Sequence, residues 1–299
     1  MSVESLKIVS FGEVLWDLFP DGEQFGGAPA NFACHAAIHG ADVAMLSAVG
    51  NDRHGRDACG ILQGFAIDIS LMQTVPDAPT GTVGVTLDAA GKPTFTIHEN
   101  SAWDRITWTD EIGSRVNETD AVYFGSLGQR SSESRRTIRR GIQTAREAAV
   151  PSIVDINLRS PFFDDKLIRE SIELASILKL SDDELPEVIS ACGIESGAPV
   201  ETQLRSLLES SNLDLIVMTC GAQGAVLATA NGIVKQQGIQ TNVKDTVGAG
   251  DSFAAAFILG TLRGEPHVEV LHKACQVAAA ACSHAGAVPE TISTDQHAE

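Results

Sequence analysis

The sequence has no apolar run approaching the length of a membrane span, and its six cysteines form no CxxC pair and no metal-ligand spacing. We therefore expect neither a membrane protein nor a zinc domain or disulfide framework. Scattered free thiols are typical of a reducing compartment, which favours a cytoplasmic location. Four charged side chains lie within the first 18 residues, so we expect no signal or transit peptide there: Glu4, Lys7, Glu13 and Asp17.

Positive charge and aromatic side chains are also scarce. The chain holds seven lysines and one tyrosine, and its formal net charge is -18 over 299 residues. Such an excess of acid makes nucleic acids and anionic membranes poor partners. A hydrophobic content of 43% is enough for the core of one sizeable domain.

Short apolar segments alternate with amphipathic ones along most of the chain. This alternation predicts a three-layer α/β/α fold in which helices cover both faces of a mostly parallel sheet. The predicted strands are 7–13, 43–48, 120–125, 152–156, 176–180, 214–219, 224–229 and 233–237. The predicted helices are 29–39, 55–64, 132–149, 164–174, 182–190, 200–210, 249–263 and 267–284.

Two stretches depart from this alternation. Residues 14–25 follow the first strand without a helix, and residues 82–103 are typical of a β-hairpin with its turn at 88–91. Together they predict a small β-sheet that projects from the main domain and covers the active site, packs on a second subunit, or both. Because the chain has no linker or internal repeat, we expect one domain over residues 1–299 with this lid inserted into it.

Residues 245–253 (DTVGAGDSF) are the most informative segment. They put Gly248, Ala249, Gly250 and Asp251 directly before an alanine-rich helical stretch. The first turn of a helix offers unpaired N–H groups and a partial positive charge, so this turn is a candidate anion site. A carboxylate there has a use if it accepts a proton from a hydroxyl that attacks a bound phosphoryl group. By itself the segment fits equally well with a tight turn that carries a first-turn acid.

Seven segments in this order resemble the ribokinase (phosphofructokinase B) family of sugar kinases, and fructokinases most of all. They are GEVLWD at 12–17, GGAPAN at 26–31, VGND at 49–52 with Gly55 and Arg56, GSL at 125–127, DINLR at 155–159, TCGAQG at 219–224 and DTVGAGDSF at 245–253. The resemblance implies ATP-dependent phosphorylation of a sugar hydroxyl, with Mg2+ as the metal. Because the acidic chain has no global field that attracts a polyphosphate, we expect strict metal dependence.

The resemblance also implies positions for both substrates. Asp17, which we expect at a strand end, suits bidentate hydrogen bonding to vicinal sugar hydroxyls, although a surface acid after a strand is the alternative. Asn157 and Arg159 follow a predicted strand at the sheet edge where ligands bind in open α/β folds. The sugar residues implied are Asp17, Gly26, Gly27, Asn31, Asn157 and Arg159. The nucleotide residues implied are Lys179, Ser181, Glu184, Thr219, Gly221 and Gly224.

Metal positions follow from the same resemblance. Glu184 would act on Mg2+ through water, and Ser181 stands where the family usually has asparagine, so a water would intervene there. Carbonyls of Asp245 and Val247, with the segment at Gly286, would form a monovalent-cation site for K+. The family also implies a homodimer joined through the β-lid.

Several alternatives stay open at the level of sequence. D-fructose is the first choice of sugar, 2-keto-3-deoxygluconate is next because Arg159 could pair with its carboxylate, and ribose or a nucleoside comes third. A non-catalytic sugar-binding regulator is the alternative of a different class, although it predicts loss of Asp251 or its glycines. A nicotinamide dehydrogenase is excluded, because residues 12–17 lack the GxGxxG pattern after the first strand.

Overall fold

A computed structural model describes residues 5–87 and 93–289 of the chain. The strands are β1 (Lys7–Phe11), β2 (Leu15–Phe19), β3 (Gly22–Gly26), β4 (Asp42–Leu46), β5 (Ala48–Gly50), β6 (Gln73–Val75), β7 (Gly81–Leu87), β8 (Pro93–Ile97), β9 (Ala121–Gly125), β10 (Ser152–Asp155), β11 (Ile177–Ser181), β12 (Leu215–Thr219), β13 (Gly224–Thr229) and β14 (Gly232–Gln237). The helices are α1 (Ala28–Ile38), α2 (Arg53–Gly64), α3 (Asp110–Asn117), α4 (Ser132–Glu147), α5 (Asp165–Leu174), α6 (Leu185–Ala191), α7 (Val200–Ser210), α8 (Ala249–Leu262) and α9 (His267–Ala281).

The large sheet has the strand order β14-β13-β12-β11-β10-β9-β1-β4. Its neighbours pair in parallel from β4 to β12, and β13 and β14 add an antiparallel edge. One buried cluster packs α1, α2, α8 and α9 on one face, and a second packs α3 to α7 on the other. Successive strand residues such as Ile8 and Val9 enter opposite clusters, which is why the strands are apolar throughout. The predicted three-layer fold is confirmed.

Helix α8 lies inside this arrangement and carries the candidate anion turn. Every residue from Ser252 to Gly260 is buried, because α8 packs between α1 and α9. A helix that is apolar on all sides is stable only when it is covered all round.

No helix within the described ranges is both long and apolar enough to cross a bilayer.

The small sheet is separate and has the order β3-β2-β7-β8. Residues 14–25 supply the β2–β3 hairpin, and β7 and β8 form the second hairpin, as predicted. The predicted turn at 88–91 lies outside the described residues. Asp17 is not at a strand end as expected, because it lies in the middle of β2 opposite Gln24 and Val83.

Several element boundaries differ from the predictions for local reasons. The first strand ends at Phe11, since Gly12 has a φ of 146° and turns the chain toward the small sheet. The helix expected at 182 begins at Leu185, and residues 182–184 form a turn whose Asp182 N–H donates to Thr219 O at 2.9 Å. Helix α3 and the β5–β6 pair were not predicted. Both are short, and α3 buries only Ile112 and Val116.

Asp52 joins helix α2 to the segment that enters the small sheet. Its Oδ1 accepts hydrogen bonds from Gly55 N at 2.8 Å and Thr80 Oγ1 at 2.7 Å, and its Oδ2 accepts one from Thr80 N at 2.8 Å. Burial opposes the ionised form, but the Thr80 and Gly55 donors outweigh it and lower the pKa of Asp52. The VGND segment at 49–52 therefore has a structural use, which is to fix the start of β7.

We predict that Asp52→Ala lowers the free energy of unfolding by roughly 1–2 kcal/mol, because a helix cap and its partner Thr80 both lose hydrogen bonds. The matched control is Asp57→Ala on the same helix, which removes only an exposed ion pair with Arg53. That control is expected to cost less than about 0.5 kcal/mol. Urea unfolding measures both, and equal midpoints for the two variants would contradict the prediction.

Candidate active site

The candidate anion turn is built by Gly248 at the start of α8. Gly248 is the N-cap residue with a φ of 75°, a conformation that glycine adopts without strain. The backbone of Ala287 lies directly against it, so a side chain at 248 would collide with that backbone. The Ala249 N–H donates a long bond of 3.3 Å to Thr246 O. By helix geometry the Gly250 and Asp251 N–H groups have no partner within α8, so they are the stronger donors for an anion.

Asp251 lies in the first turn of α8 and faces α1. Asn31 Nδ2 donates to Asp251 Oδ2 at 2.8 Å, across 220 residues of sequence. Burial raises the pKa of Asp251, while Lys179, the Asn31 amide and Arg159 act in the opposite direction. The carboxylate is therefore a stronger base than a free aspartate, and its geometry is held by a neutral donor that does not neutralise it.

A buried charge network lies beside this turn. Lys179 Nζ is 3.0 Å from Asp155 Oδ1 and 2.8 Å from Oδ2, and Tyr123 Oη donates to Asp155 Oδ2 at 2.9 Å. Burial opposes the charge on Lys179, but Asp155, Glu184 and Asp251 together raise its pKa, so it stays an ammonium. A Cβ on Gly250 would lie 3.3 Å from Lys179 Nζ. The ammonium is thus next to the anion turn.

Two of the residues predicted for the sugar, Asp17 and Gly26, lie next to each other. A Cβ on Gly26 would lie 2.8 Å from Asp17 Oδ2, so the missing side chain leaves room beside that carboxylate. Burial raises the pKa of Asp17 to about 6 and that of Glu13 to about 7, and Arg159 opposes both shifts. Arg159 also acts on Asp251, so the charge of one guanidinium opposes the rise in pKa of three carboxyl groups.

Two further residues predicted for the sugar, Gly27 and Asn157, have backbone conformations that few other residues adopt. Gly27 is the N-cap of α1, and a Cβ on it would lie 2.5 Å from the Glu13 carbonyl oxygen. Asn157 follows β10 at its carboxyl end with a φ of 37°, which asparagine tolerates better than most residues. Ser126 Oγ donates to the Asn157 carbonyl at 3.4 Å.

A cavity of about 660 Å³ opens beside the anion turn. Predicted residues Thr219, Gly221 and Gly224 line it together with Ala249 and Gly250. Much of the remaining lining is apolar, which suits a flat base rather than a second polyanion. That part of the lining includes Ile239, Val243, Phe253, Cys275 and Ala278.

Ser181 and Glu184 contact each other rather than this cavity. Glu184 Oε2 accepts from Ser181 N at 2.7 Å and from Ser181 Oγ at 2.9 Å, and its Oε1 accepts from Leu158 N at 2.7 Å. Among the described residues, no three His, Cys, Asp or Glu side chains gather closely enough to hold a metal ion by themselves. A Mg2+ ion beside Glu184 would therefore take most of its ligands from phosphate and water, which is usual for this metal.

The predicted monovalent-cation residues are held together by the Asp245 side chain. Its Oδ1 accepts from Val247 N at 3.0 Å, and its Oδ2 accepts from Gly286 N at 2.9 Å. The segment before α8 and the segment after α9 are joined in this way. Whether their carbonyl groups bind K+ stays a prediction.

Three residues of the site were not assigned from sequence: Glu13, Tyr123 and Asp155. Each lies inside or next to a recognised segment, but its contacts are distant in sequence. Asp155 is the last residue of a buried strand, and an acid at such a position was the one available signal. Glu13 is 2% exposed, and its Oε2 has no hydrogen-bond partner within the described structure.

Comparison with known proteins gives a consistent result. Residues 6–294 match the family described as pfkB family carbohydrate kinase. Aminoimidazole riboside kinase of Salmonella typhimurium is 28% identical over 84% of this chain and 80% of its own length. Probable fructokinase-4 of Arabidopsis thaliana is 29% identical over 96% of this chain and 94% of its own. The crystal structure of a fructokinase with bound ATP from Xylella fastidiosa superposes with a TM-score of 0.84 at 20% identity, covering 95% of each chain, and this supports the fold.

We predict that Gly248→Ala lowers the thermal midpoint well below that of Gly264→Ala. Both glycines flank α8 with similar φ values of 75° and 70°, so both variants incur a strain of about 1–3 kcal/mol. A Cβ at 248 would lie 2.6 Å from Ala287 Cα, whereas a Cβ at 264 would meet no described atom within 4 Å. Thermal unfolding of both variants measures the difference, and equal losses would contradict the assigned contact.

Proposed function

Because the chain belongs to the pfkB family of carbohydrate kinases, we propose that it transfers the γ-phosphoryl group of ATP to the primary hydroxyl of a neutral sugar, with D-fructose the first choice. The observation that carries this proposal is Asp251, half-buried at the first turn of α8 and held by Asn31. A partly buried carboxylate beside backbone N–H donors suits a base that works next to a bound phosphoryl group.

Asp251 accepts the proton of the sugar hydroxyl as the oxygen of that hydroxyl forms its bond to the γ-phosphorus, while the bond from that phosphorus to the bridging oxygen breaks and ADP leaves. Asn31 keeps the carboxylate oriented toward the acceptor. The Gly250 and Asp251 N–H groups and the Lys179 ammonium stabilise negative charge on the transferred group. Because the hydroxyl becomes acidic only late in a loose transition state, a positioned aspartate with a raised pKa is a sufficient base.

ATP, when bound, supplies the phosphoryl group, and Mg2+ offsets its charge. The cavity lined by Thr219, Gly221 and Gly224 supports a nucleotide there, since it opens directly on the anion turn. Glu184 is the residue we propose for Mg2+ through water. The wild-type chain carries a net charge of -18, so local donors and the metal have to attract the polyphosphate against the background field.

The charges around the acceptor favour a neutral sugar over a keto acid. Arg159 acts here on the carboxyl groups of Glu13, Asp17 and Asp251, so a carboxylate substrate would enter a pocket in which acids outnumber the guanidinium. Asp17 in β2 can accept hydrogen bonds from two vicinal hydroxyls. Several relatives at 27–29% identity are named fructokinases, which also supports fructose.

A riboside is the second candidate, because the relative from Salmonella typhimurium is named an aminoimidazole riboside kinase. We further propose that the small sheet acts as a lid on the sugar and joins two copies of the chain. Phe95 on β8 supports this assembly, since its side chain is 52% exposed. The six free cysteines support a cytoplasmic location.

We predict that Asp251→Asn reduces kcat by roughly 10²–10⁴-fold, because the amide cannot accept the proton. The matched control is Asp165→Asn, which also removes a first-turn acid, at the start of α5. The control is expected to keep kcat and to cost less than about 1 kcal/mol of stability. A coupled assay for ADP release measures both variants. Near-normal turnover by Asp251→Asn would mean that Asp251 is only a helix-dipole partner.

We predict that a panel of acceptors gives the highest kcat/KM with D-fructose, because a neutral polyol suits the acidic pocket and several relatives are named fructokinases. The panel contains D-fructose, D-ribose, aminoimidazole riboside and 2-keto-3-deoxygluconate, each assayed with wild type and with Arg159→Gln. If the keto acid is the best substrate and Arg159→Gln removes that preference, the neutral-sugar assignment is wrong. Sugar binding without ADP release from any acceptor would instead favour a non-catalytic regulator.

A further inference from the structure

Helix α1 faces the anion turn with two polar side chains that lie one turn apart. Asn31 donates to Asp251, and His35 Nε2 is 2.9 Å from the carbonyl oxygen of Ala287. Residues four apart on a helix share a face and are separated by about 6 Å along its axis. One rigid element therefore contacts both the base and the segment that follows α9.

The backbone of Ala287 supports the anion turn. It packs directly on Gly248, and a side chain at position 248 would collide with it. The preceding residue, Gly286, donates its N–H to Asp245 at 2.9 Å. The segment around Ala287 thus has contacts before and at the start of α8, and any shift of this segment would change where the following N–H groups point.

The hydrogen bond from His35 fixes the state of its ring. A carbonyl oxygen only accepts, so the proton is on Nε2 and that nitrogen is the donor. The side chain is 6% exposed, and burial lowers the pKa of His35, against a smaller opposing effect of the Ala287 carbonyl. The ring therefore stays neutral and keeps this donor across the physiological range.

We propose that His35 is a positioning residue for phosphoryl transfer, acting through the Ala287 carbonyl and Gly248 on the N–H groups of the anion turn. Asn31 orients the Asp251 carboxylate, and His35 positions the backbone N–H donors of the turn. Helix α1 holds these two side chains at a fixed spacing. This inference rests on the proposed kinase function. His35 hydrogen-bonds to Ala287 and does not line the cavity beside the anion turn, so we expect its loss to alter the transition-state geometry more than substrate binding.

The test compares His35→Leu, which removes the donor, with His35→Gln, which keeps an N–H donor at similar reach. Cys34→Ala is the packing control, because Cys34 is buried on the same helix. We expect His35→Leu to lower kcat roughly 10–100-fold with sugar and ATP KM values within about threefold of wild type. We expect His35→Gln to recover most of kcat, and Cys34→Ala to lose stability without losing kcat.

Hydrogen exchange of the peptide covering residues 246–252 is the second measurement. We expect exchange to accelerate in His35→Leu and not in Cys34→Ala or His35→Gln. Only His35→Leu removes the hydrogen bond that holds Ala287 against the turn. Wild-type exchange in His35→Leu overturns the positioning role whether or not any sugar is phosphorylated. Absence of ADP release from wild type would instead overturn the proposed function. Equal kcat losses in the leucine and glutamine variants would also contradict the inference.

Discussion

Asp251 is a half-buried carboxylate at the first turn of a helix whose central residues are buried all round. Burial of a charge is costly unless hydrogen bonds and nearby positive charge offset it. The N-terminal end of the α8 dipole, the Asn31 amide and the Lys179 ammonium provide that offset. Since α8 is covered by α1 and α9, its polar first turn has to open at the edge of the sheet, and the candidate site forms there.

A positive charge is fixed beside the anion turn although the chain as a whole is acidic. Lys179 is kept charged in the interior by Asp155, which in turn accepts from Tyr123, so the ammonium is fixed next to Gly250. A buried pair of this kind contributes little net stability, but loss of one partner leaves an uncompensated charge. The Lys179–Asp155 pair therefore matters here for the position of the ammonium rather than for folding.

Much of the fold could be predicted because the strands of the large sheet are buried on both faces and are apolar throughout. Short elements such as α3 and the β5–β6 pair were missed, since a few buried residues leave little periodicity. The motif residues of the site, such as Asp251, were identified from local sequence. Asp155 and His35 were not, because their contacts lie 32 and 252 residues away and only the tertiary structure brings them together.

The small sheet interrupts the chain twice, once between β1 and α1 and once after β6. Asp17 therefore lies on the small sheet, whereas Asp251 lies on α8, which packs against the large sheet. Under the proposed function, one contact to the acceptor belongs to a part of the molecule that the transfer chemistry does not use. Over evolution, substitutions in the strands around Asp17 can therefore change which polyol is accepted and leave the first turn of α8 as it is.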